Sequence, residues 1–201
     1  MFLKCIKVLA KGLMHLLFRF EMDDALVDKK GPFIICANHR SNWDAFAMFL
    51  ASPMDTYIVG KKELSDIPII GAFLRAIQMI PVDREGNDIA ALRTMRKVLK
   101  EGHVLGIFPE GHRYDTRDLS HMKDGVAYLV QKAKVPVYCL YLESDYHFRS
   151  TFRVTLRDAL PFETFVPYDS RAGRKDIMRL IYNSIYALNS GEEMSHDDSR
   201  C

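Results

Sequence analysis

The stretch that decides the fold is GPFIICANHRSNWD, residues 31–44. Its first half, residues 32–37, is almost continuously apolar after the Gly31-Pro32 pair, which predicts a buried strand. The chain then turns polar for five residues before residues 43–51, which are apolar with helical character and end at Ser52-Pro53. A buried strand, a polar turn and a helix in immediate succession form the repeating unit of an α/β domain.

The same alternation continues along the chain. Further strands are predicted over residues 56–60, 79–82, 104–108 and 135–142, with an edge strand over residues 152–156. Further helices are predicted over residues 67–77, 87–100, 121–132 and 171–188. The sequence therefore predicts an α/β fold, in which a single domain has a mixed, largely parallel sheet flanked by helices.

The composition indicates a single globular domain and argues against nucleic-acid binding and a metal site. A chain of 201 residues is long enough for one domain with a well-buried core. Its net charge of +2 is too balanced for a protein whose main partner is a nucleic acid. The four cysteines are scattered without C-x-x-C pairs, and no H-E-x-x-H motif occurs, so we do not expect a metal site. Scattered cysteines also favour a protein of a reducing compartment.

Residues 1–20 form a distinct N-terminal segment. Five basic residues follow each other at intervals of three or four: Lys4, Lys7, Lys11, His15 and Arg19. On a helix they form one stripe beside a wide apolar face, which favours an amphipathic helix lying in an anionic membrane surface. The alternative is an ordinary helix packed on the domain. We expect the domain to occupy residues 21–190 and the acidic tail, residues 191–201, to be disordered.

Two polar segments follow predicted strands, where ligands of α/β proteins collect. In the first, residues 38–44, a carboxylate on Asp44 could fix the tautomer of His39 and leave its other ring nitrogen as a general base. Asp44 also fits a capping box at the start of the helix, and the two roles are compatible. In the second, residues 109–113, Gly111 permits close backbone approach and Arg113 suits a phosphate, although a plain solvent-facing turn has the same pattern.

These segments resemble the glycerolipid acyltransferases, and among them the 1-acylglycerol-3-phosphate (lysophosphatidate) acyltransferases. Residues 38–44, NHRSNWD, are similar to the family's NHx4D block, and residues 108–113, FPEGHR, to its FPEGTR block. Two further blocks match in the right order: residues 61–64 (KKEL), 67–71 (IPIIG) and 80–84 (IPVDR), then residues 122–127 (MKDGVA) with 135–137 (VPV). The resemblance implies the glycerol-3-phosphate acyltransferase-like fold.

The resemblance also implies roles for individual residues. His39 would take the proton from a glycerol hydroxyl as it attacks an acyl thioester, and Asp44 would orient His39. Arg84 and Arg113 would bind the acceptor phosphate, and Lys61 is a further candidate. Glu110 would position Arg113 or a substrate hydroxyl. Gly111 and His112 complete the expected substrate-binding set.

The implied reaction transfers a fatty acyl group from acyl-CoA or acyl carrier protein to the sn-2 hydroxyl of 1-acylglycerol-3-phosphate, giving phosphatidate without a cofactor. The implied location is peripheral or monotopic, at the cytoplasmic face of the cell membrane. His112 stands where the family usually has Thr, which leaves glycerol-3-phosphate or another lysolipid open as acceptor. A non-catalytic, membrane-bound lipid-binding module is the remaining alternative.

Overall fold

The computed structural model describes residues 2–68, 71, 74–75, 77–83 and 88–186. Its strands are β1 (Arg19–Met22), β2 (Phe33–Ala37), β3 (Thr56–Lys61), β4 (Ile80–Val82), β5 (Val104–Ile107), β6 (Val137–Ser144) and β7 (Thr151–Leu160). Its α-helices are α1 (Phe2–Leu17), α2 (Trp43–Ala51), α3 (Ile89–Lys100), α4 (Gly125–Ala133) and α5 (Arg174–Tyr186). Short 3₁₀ segments cover Lys62–Asp66, Leu119–His121 and Phe162–Tyr168.

The strands form one sheet in the order β1-β7-β6-β2-β5-β3-β4. Every described pair of neighbouring strands is parallel except β6 and β7, which are antiparallel. The prediction of a mixed, largely parallel sheet flanked by helices is therefore confirmed.

Strand β2 lies at the centre of the sheet and is buried along its whole length. Because side chains alternate along a strand, Ile34 and Cys36 join the core beneath α3, α4 and α5. Phe33, Ile35 and Ala37 face the opposite core, beneath α1 and α2. A strand covered on both faces explains why this segment is apolar at every position instead of alternating.

Helix α1 is shorter than predicted. Its last hydrogen bond joins the Phe18 amide to the Met14 carbonyl, and at Arg19 the amide bonds instead to Ser150, which begins the pairing of β1 with β7. The assignment of residues 18–20 to the helix is therefore wrong, and the expected boundary after residue 20 falls inside strand β1. Competition from a sheet edge, which local periodicity does not reveal, decides this end of the helix.

The wide apolar arc of α1 is divided into two faces. One face packs into the core through Ile6, Ala10 and Met14, followed in the chain by Phe18. The other face is exposed and consists of Val8, Leu9, Leu13 and Leu16. The packed-helix alternative is thus confirmed for one face, while the second apolar face has no protein covering it within the described residues.

Two members of the expected basic stripe do not lie on the exposed side of α1. Lys7 is half-buried, and its ammonium donates a hydrogen bond to the Ser52 carbonyl just beyond α2. Burial lowers the pKa of Lys7 to about 8. Arg19 belongs to strand β1. The exposed cations of the helix are Lys4, Lys11 and His15.

Two other predicted elements need correction. Strand β7 runs from Thr151 to Leu160 and lies inside the sheet between β1 and β6, so it is not an edge strand. Helix α4 begins at Gly125, four residues later than predicted. Met122 is extended and buried in the core, and the Lys123 amide bonds to the Pro109 carbonyl, so this segment is used to hold the turn after β5.

Some expectations lie wholly or partly outside the described residues. They are the helix over residues 67–77, of which 69–70, 72–73 and 76 are not described, and the disordered tail over residues 191–201. The last two residues of the helix predicted to end at 188 are also outside them.

The division of α1 into two faces predicts how it responds to truncation of its side chains. Met14 has no exposed surface, so Met14→Ala should lower the free energy of unfolding by about 2–5 kcal/mol through lost burial and a residual cavity. Leu9 is 73% exposed, and Leu9→Ala should change stability by less than about 0.5 kcal/mol. Urea unfolding of both variants measures this difference. Equal effects would contradict the packing described for α1.

Candidate active site

The two polar segments meet at the carboxyl ends of β2 and β5. These strands are parallel neighbours, so the residues after them emerge at the same edge of the sheet. The segments are also joined directly, because the Tyr114 amide donates to the His39 carbonyl at 3.0 Å. The expectation that both segments contribute to one site therefore agrees with their positions.

His39 and Asp44 form a buried pair. The His39 Nδ1 lies 3.1 Å from Asp44 Oδ2, and the Asp44 side chain has no exposed surface. The imidazole stacks on the Phe108 ring, with 4.0 Å between ring centroids. His39 lies in the turn and Asp44 in the first turn of α2, which allows two residues five positions apart to meet.

Within the part of the chain that the structure describes, Asp44 accepts hydrogen bonds from four groups. Besides the imidazole, its Oδ2 accepts the Arg40 amide at 2.6 Å and the Ser41 amide at 2.7 Å. Its Oδ1 accepts the Tyr146 hydroxyl at 2.9 Å. The carboxylate therefore reaches back to backbone amides at the start of α2 and binds His39 at the same time, as the two compatible roles required.

This geometry determines which nitrogen of His39 faces the substrate. A carboxylate can only accept, so Nδ1 carries the proton of the neutral ring and donates it to Asp44. Nε2 is then unprotonated and has a lone pair for a proton. His39 lines a cavity of about 180 Å³, in which a hydroxyl could approach it.

Glu110 bonds the backbone of His39 and the end of α5. It is buried, and its Oε2 accepts the His39 amide at 3.0 Å while its Oε1 accepts the Tyr186 hydroxyl at 2.6 Å. Both oxygens are thus used to hold the backbone of His39 and the end of α5, and neither is assigned to Arg113. Burial raises the pKa of Glu110, against the lowering effect of these two hydrogen bonds, and the Asp44 charge raises it further.

Two of the expected cations, Lys61 and Arg113, line the same cavity as His39. Lys61 lies at the end of β3 with its ammonium 3.3 Å from Glu63. Arg113 donates from Nη1 to Asn42 Oδ1 at 2.9 Å. The rest of the cavity wall is mostly apolar: Ala45, Phe46, Phe49, Ile58, Val59, Leu64, Leu74, Ile77, Met79 and Phe108. The lining thus combines two exposed basic side chains with a mostly apolar wall.

Gly111 and His112 line a second cavity, of about 320 Å³, on the side of α3 and α4. Gly111 has a φ of +72°, in the left-handed region, so a side chain there would be strained. Of the expected substrate-binding residues, Lys61 and Arg113 therefore line the first cavity and Gly111 and His112 the second, while Glu110 lines neither. Phe108 and Val59 line both of them.

The other two candidate residues from the sequence are Arg84 and Cys36. Arg84 lies outside the described residues. Cys36 is fully buried in β2, and burial raises the pKa of its thiol well above the usual range, so it is a core residue and not a nucleophile. Among the described residues, no group of three or more His, Cys, Asp or Glu is arranged to hold a metal ion. In the same part of the chain, no helix is long and apolar enough to cross a bilayer.

With this geometry in place, comparison with known proteins identifies the family. A model of the Acyltransferase family matches residues 19–143, which include the His39–Asp44 pair and the Glu110 turn. The chain belongs to the Acyltransferase family.

Its relatives carry a consistent name. A 1-acyl-sn-glycerol-3-phosphate acyltransferase of Bacillus subtilis is 35% identical over 106 residues, or 52% of each chain. The enzyme of the same name from Saccharomyces cerevisiae is 32% identical over 114 residues, which are 54% of this chain and 37% of that one. The chain thus matches about half, or less, of the length of these relatives.

A solved structure shares the fold. The crystal structure of the 1-acyl-sn-glycerophosphate (LPA) acyltransferase PlsC from Thermotoga maritima superposes with a TM-score of 0.71 at 21% sequence identity. The similarity covers 96% of this chain and 81% of that chain. At this level of identity it supports the fold expected from the sequence.

Two polar residues of the site, Tyr146 and Tyr186, were missed by sequence analysis, and Asn38 of the NHx4D block was given no role of its own. Tyr146 bonds Asp44, and Tyr186 bonds Glu110. Asn38 bridges the end of β2 to the Leu142 amide and carbonyl of β6, with both hydrogen bonds at 2.8 Å. The two tyrosines lie beyond the segment that the family model matches, and no short-range pattern links residues 76 or 102 positions apart.

The buried Glu110 predicts a pH-dependent stability. Its pKa is raised in the folded protein, so its contribution to stability is complete below the unfolded-state pKa and is lost as the pH rises through the folded-state pKa. Glu110→Gln keeps the shape and is always neutral. The stability of the wild type relative to this variant should therefore fall as the pH rises from about 4.3, the usual pKa of a glutamate, through the raised folded-state pKa.

Urea unfolding of both proteins across that range measures the difference. Glutamine can accept the His39 amide and donate to the Tyr186 hydroxyl oxygen, because a hydroxyl rotates to suit its partner. The variant is therefore expected to fold. A difference that stays constant, or that grows in favour of the wild type as the pH rises, would contradict the assignment.

Proposed function

We propose that this protein is an acyltransferase that moves a fatty acyl group from a thioester donor to the sn-2 hydroxyl of 1-acylglycerol-3-phosphate, giving phosphatidate. The observation that carries the proposal is the His39–Asp44 pair, in which His39 lines a cavity that has two basic side chains and a mostly apolar wall. A lysophosphatidate has the same division, with a phosphate at one end and an acyl chain at the other. The names of the relatives support the same substrate.

The chemistry requires one base and no covalent enzyme intermediate. His39 Nε2 takes the proton of the acceptor hydroxyl while its oxygen forms a bond to the thioester carbonyl carbon. Asp44 stabilises the imidazolium that results. When the tetrahedral intermediate collapses, the carbon–sulfur bond breaks, and the imidazolium returns the proton to the leaving thiolate. The products are the ester and a free thiol, and no cofactor takes part.

Arg113 and Lys61 are the cations that we assign to the acceptor phosphate. Arg113 is exposed, and among the described residues its side chain donates one neutral hydrogen bond, to Asn42, so its other donors can reach a phosphate. Lys61 is half-exposed, and its contact with Glu63 is a surface ion pair of small energetic value. The sequence-based candidate Arg84 remains part of this proposal.

The donor is acyl-CoA or acyl carrier protein, since both present the same thioester to His39. A second candidate acceptor is glycerol-3-phosphate or another lysolipid, because His112 lies in the neighbouring cavity where the family usually has Thr. A third candidate is a lipid-binding module in which the His39–Asp44 pair is only structural.

Thiol release from acyl-CoA in the presence of lysophosphatidate tests the proposal. The wild type should release thiol only when the acceptor is present, and His39→Ala should lower the rate by at least about 100-fold, the usual contribution of a general base. The reaction is repeated with an acylated acyl carrier protein, because absence of turnover with acyl-CoA alone could reflect the donor. Turnover that survives His39→Ala would reject the general-base role.

An acceptor series separates the alternatives. Glycerol-3-phosphate has the phosphate without the chain, and monoacylglycerol has the chain without the phosphate. Arg113→Lys should raise the KM for lysophosphatidate, since a point charge replaces a planar fork, and should leave any rate with monoacylglycerol unchanged. Turnover with none of the donors and acceptors would favour the lipid-binding module.

We also propose a peripheral or monotopic position at a membrane surface, on its cytoplasmic face. The exposed apolar face of α1 (Val8, Leu9, Leu13 and Leu16) lies beside the cations Lys4, Lys11 and His15, a combination suited to anionic lipid. The free cysteines Cys5, Cys36 and Cys139 fit a reducing compartment. An enzyme at the surface would also meet an acceptor that resides in the bilayer.

Substitutions of exposed residues on α1 test the proposed membrane contact without disturbing the hydrophobic core. The double variant Leu9→Ser with Leu16→Ser should bind vesicles containing anionic lipid at least about tenfold more weakly, since each leucine contributes about 1.5–3 kcal/mol on burial. Ile89→Ser, at an exposed apolar residue of α3, is the matched control and should bind as the wild type does. Unchanged co-sedimentation of the double variant would reject α1 as the membrane contact.

A further inference from the structure

The loop between β6 and β7, residues 145–150, joins two parts of the molecule. From its first half, Tyr146 donates a hydrogen bond to Asp44 Oδ1 at 2.9 Å. From its second half, Arg149 donates its amide to the Leu17 carbonyl at 2.6 Å and its guanidinium to the His15 carbonyl at 3.3 Å. The loop therefore contacts the carboxylate of the His39–Asp44 pair, the candidate dyad, at one end and the last turn of α1 at the other.

The backbone of this loop is strained. Tyr146 and Arg149 have φ values of 57° and 64°, in the left-handed region that residues with side chains seldom adopt. Such conformations persist only where surrounding contacts determine them, and they concentrate at functional sites. The strained conformation therefore indicates that the loop positions a functional group.

Hydrogen bonds on both sides hold the loop in this conformation. Ser144 Oγ accepts the Tyr146 amide at 3.0 Å and lies 3.3 Å from Ser150 Oγ. Ser150 in turn bonds the His147 carbonyl through both its amide and its hydroxyl. These contacts close the loop on itself and fix the direction in which the Tyr146 side chain leaves the backbone.

The Tyr146 ring is packed as well as hydrogen-bonded. It lies edge-on to Phe152, with 5.7 Å between centroids, and the Arg40 guanidinium lies 5.7 Å above its face. Burial, together with the Asp44 charge, raises the pKa of the Tyr146 hydroxyl well above its usual value. The hydroxyl thus stays protonated and acts only as a donor towards Asp44.

Tyr146 is the one side chain that fixes Oδ1 among the described contacts of Asp44; the other three donors all bind Oδ2. With Oδ1 released, the carboxylate could rotate about its Cβ–Cγ bond and carry Oδ2 away from the imidazole. We propose that Tyr146 is a positioning residue for the His39–Asp44 pair, a role that rests on the proposed acyl transfer for its effect on rate. The residue lies beyond the matched family segment, which ends at residue 143.

Tyr146→Phe tests the inference, because phenylalanine keeps the ring contacts and removes only the hydroxyl. The kcat for acyl transfer should fall about tenfold, a part of what a general base contributes, with the KM of both substrates within about twofold of the wild type. The His39 Nδ1 proton, followed by NMR and assigned by its loss in His39→Gln, should exchange faster with water.

Tyr141→Phe is the matched control. It also removes a tyrosine hydroxyl from this region, one that accepts a hydrogen bond from Arg117, and it should change neither readout. An unchanged kcat for Tyr146→Phe, or a lower kcat with unchanged exchange of the His39 proton, would overturn the positioning role. If the wild type shows no acyl transfer, the proposed function fails, and the exchange measurement still tests the link from Tyr146 to His39.

Discussion

The Asp44 carboxylate has no exposed surface and accepts hydrogen bonds from the His39 ring, the Arg40 and Ser41 amides and the Tyr146 hydroxyl. A buried carboxylate is costly unless such donors surround it, so its position constrains every element that supplies one. The turn after β2, the start of α2 and the loop after β6 must all converge on it. The dyad geometry and the local fold therefore depend on the same charge.

Helix α1 is linked both to the proposed membrane contact and to the His39–Asp44 pair. Its packed face contributes Met14 to the core, and its exposed leucines remain available to lipid. The end of this helix is bonded by Arg149 of the same loop that presents Tyr146 to Asp44. Helix α1, for which we propose the membrane contact, and the His39–Asp44 pair are thus both bonded by one short segment, although they lie on different elements of the fold.

Local sequence patterns predicted the central elements well and the periphery poorly. Strand β2 and helix α2 lie where the apolar runs placed them, because both are buried and their composition reflects it. Strand β1 and the interior position of β7 were missed, since pairing across more than 100 residues leaves no local periodicity. In the site, His39 and Asp44 followed from a short motif, whereas the partners of Asp44 and Glu110 on β6–β7 and α5 depend on the tertiary fold alone.

The central claim is that Asp44 fixes the tautomer of His39 and leaves Nε2 as the base. Nitrogen-15 NMR of the His39 ring at neutral pH tests it most directly, because protonated and unprotonated ring nitrogens have well-separated chemical shifts. We expect the neutral form of the ring to carry its proton on Nδ1 and to leave Nε2 free, and we expect Asp44→Asn to lose this preference. A wild-type ring that carries its proton on Nε2 would contradict it.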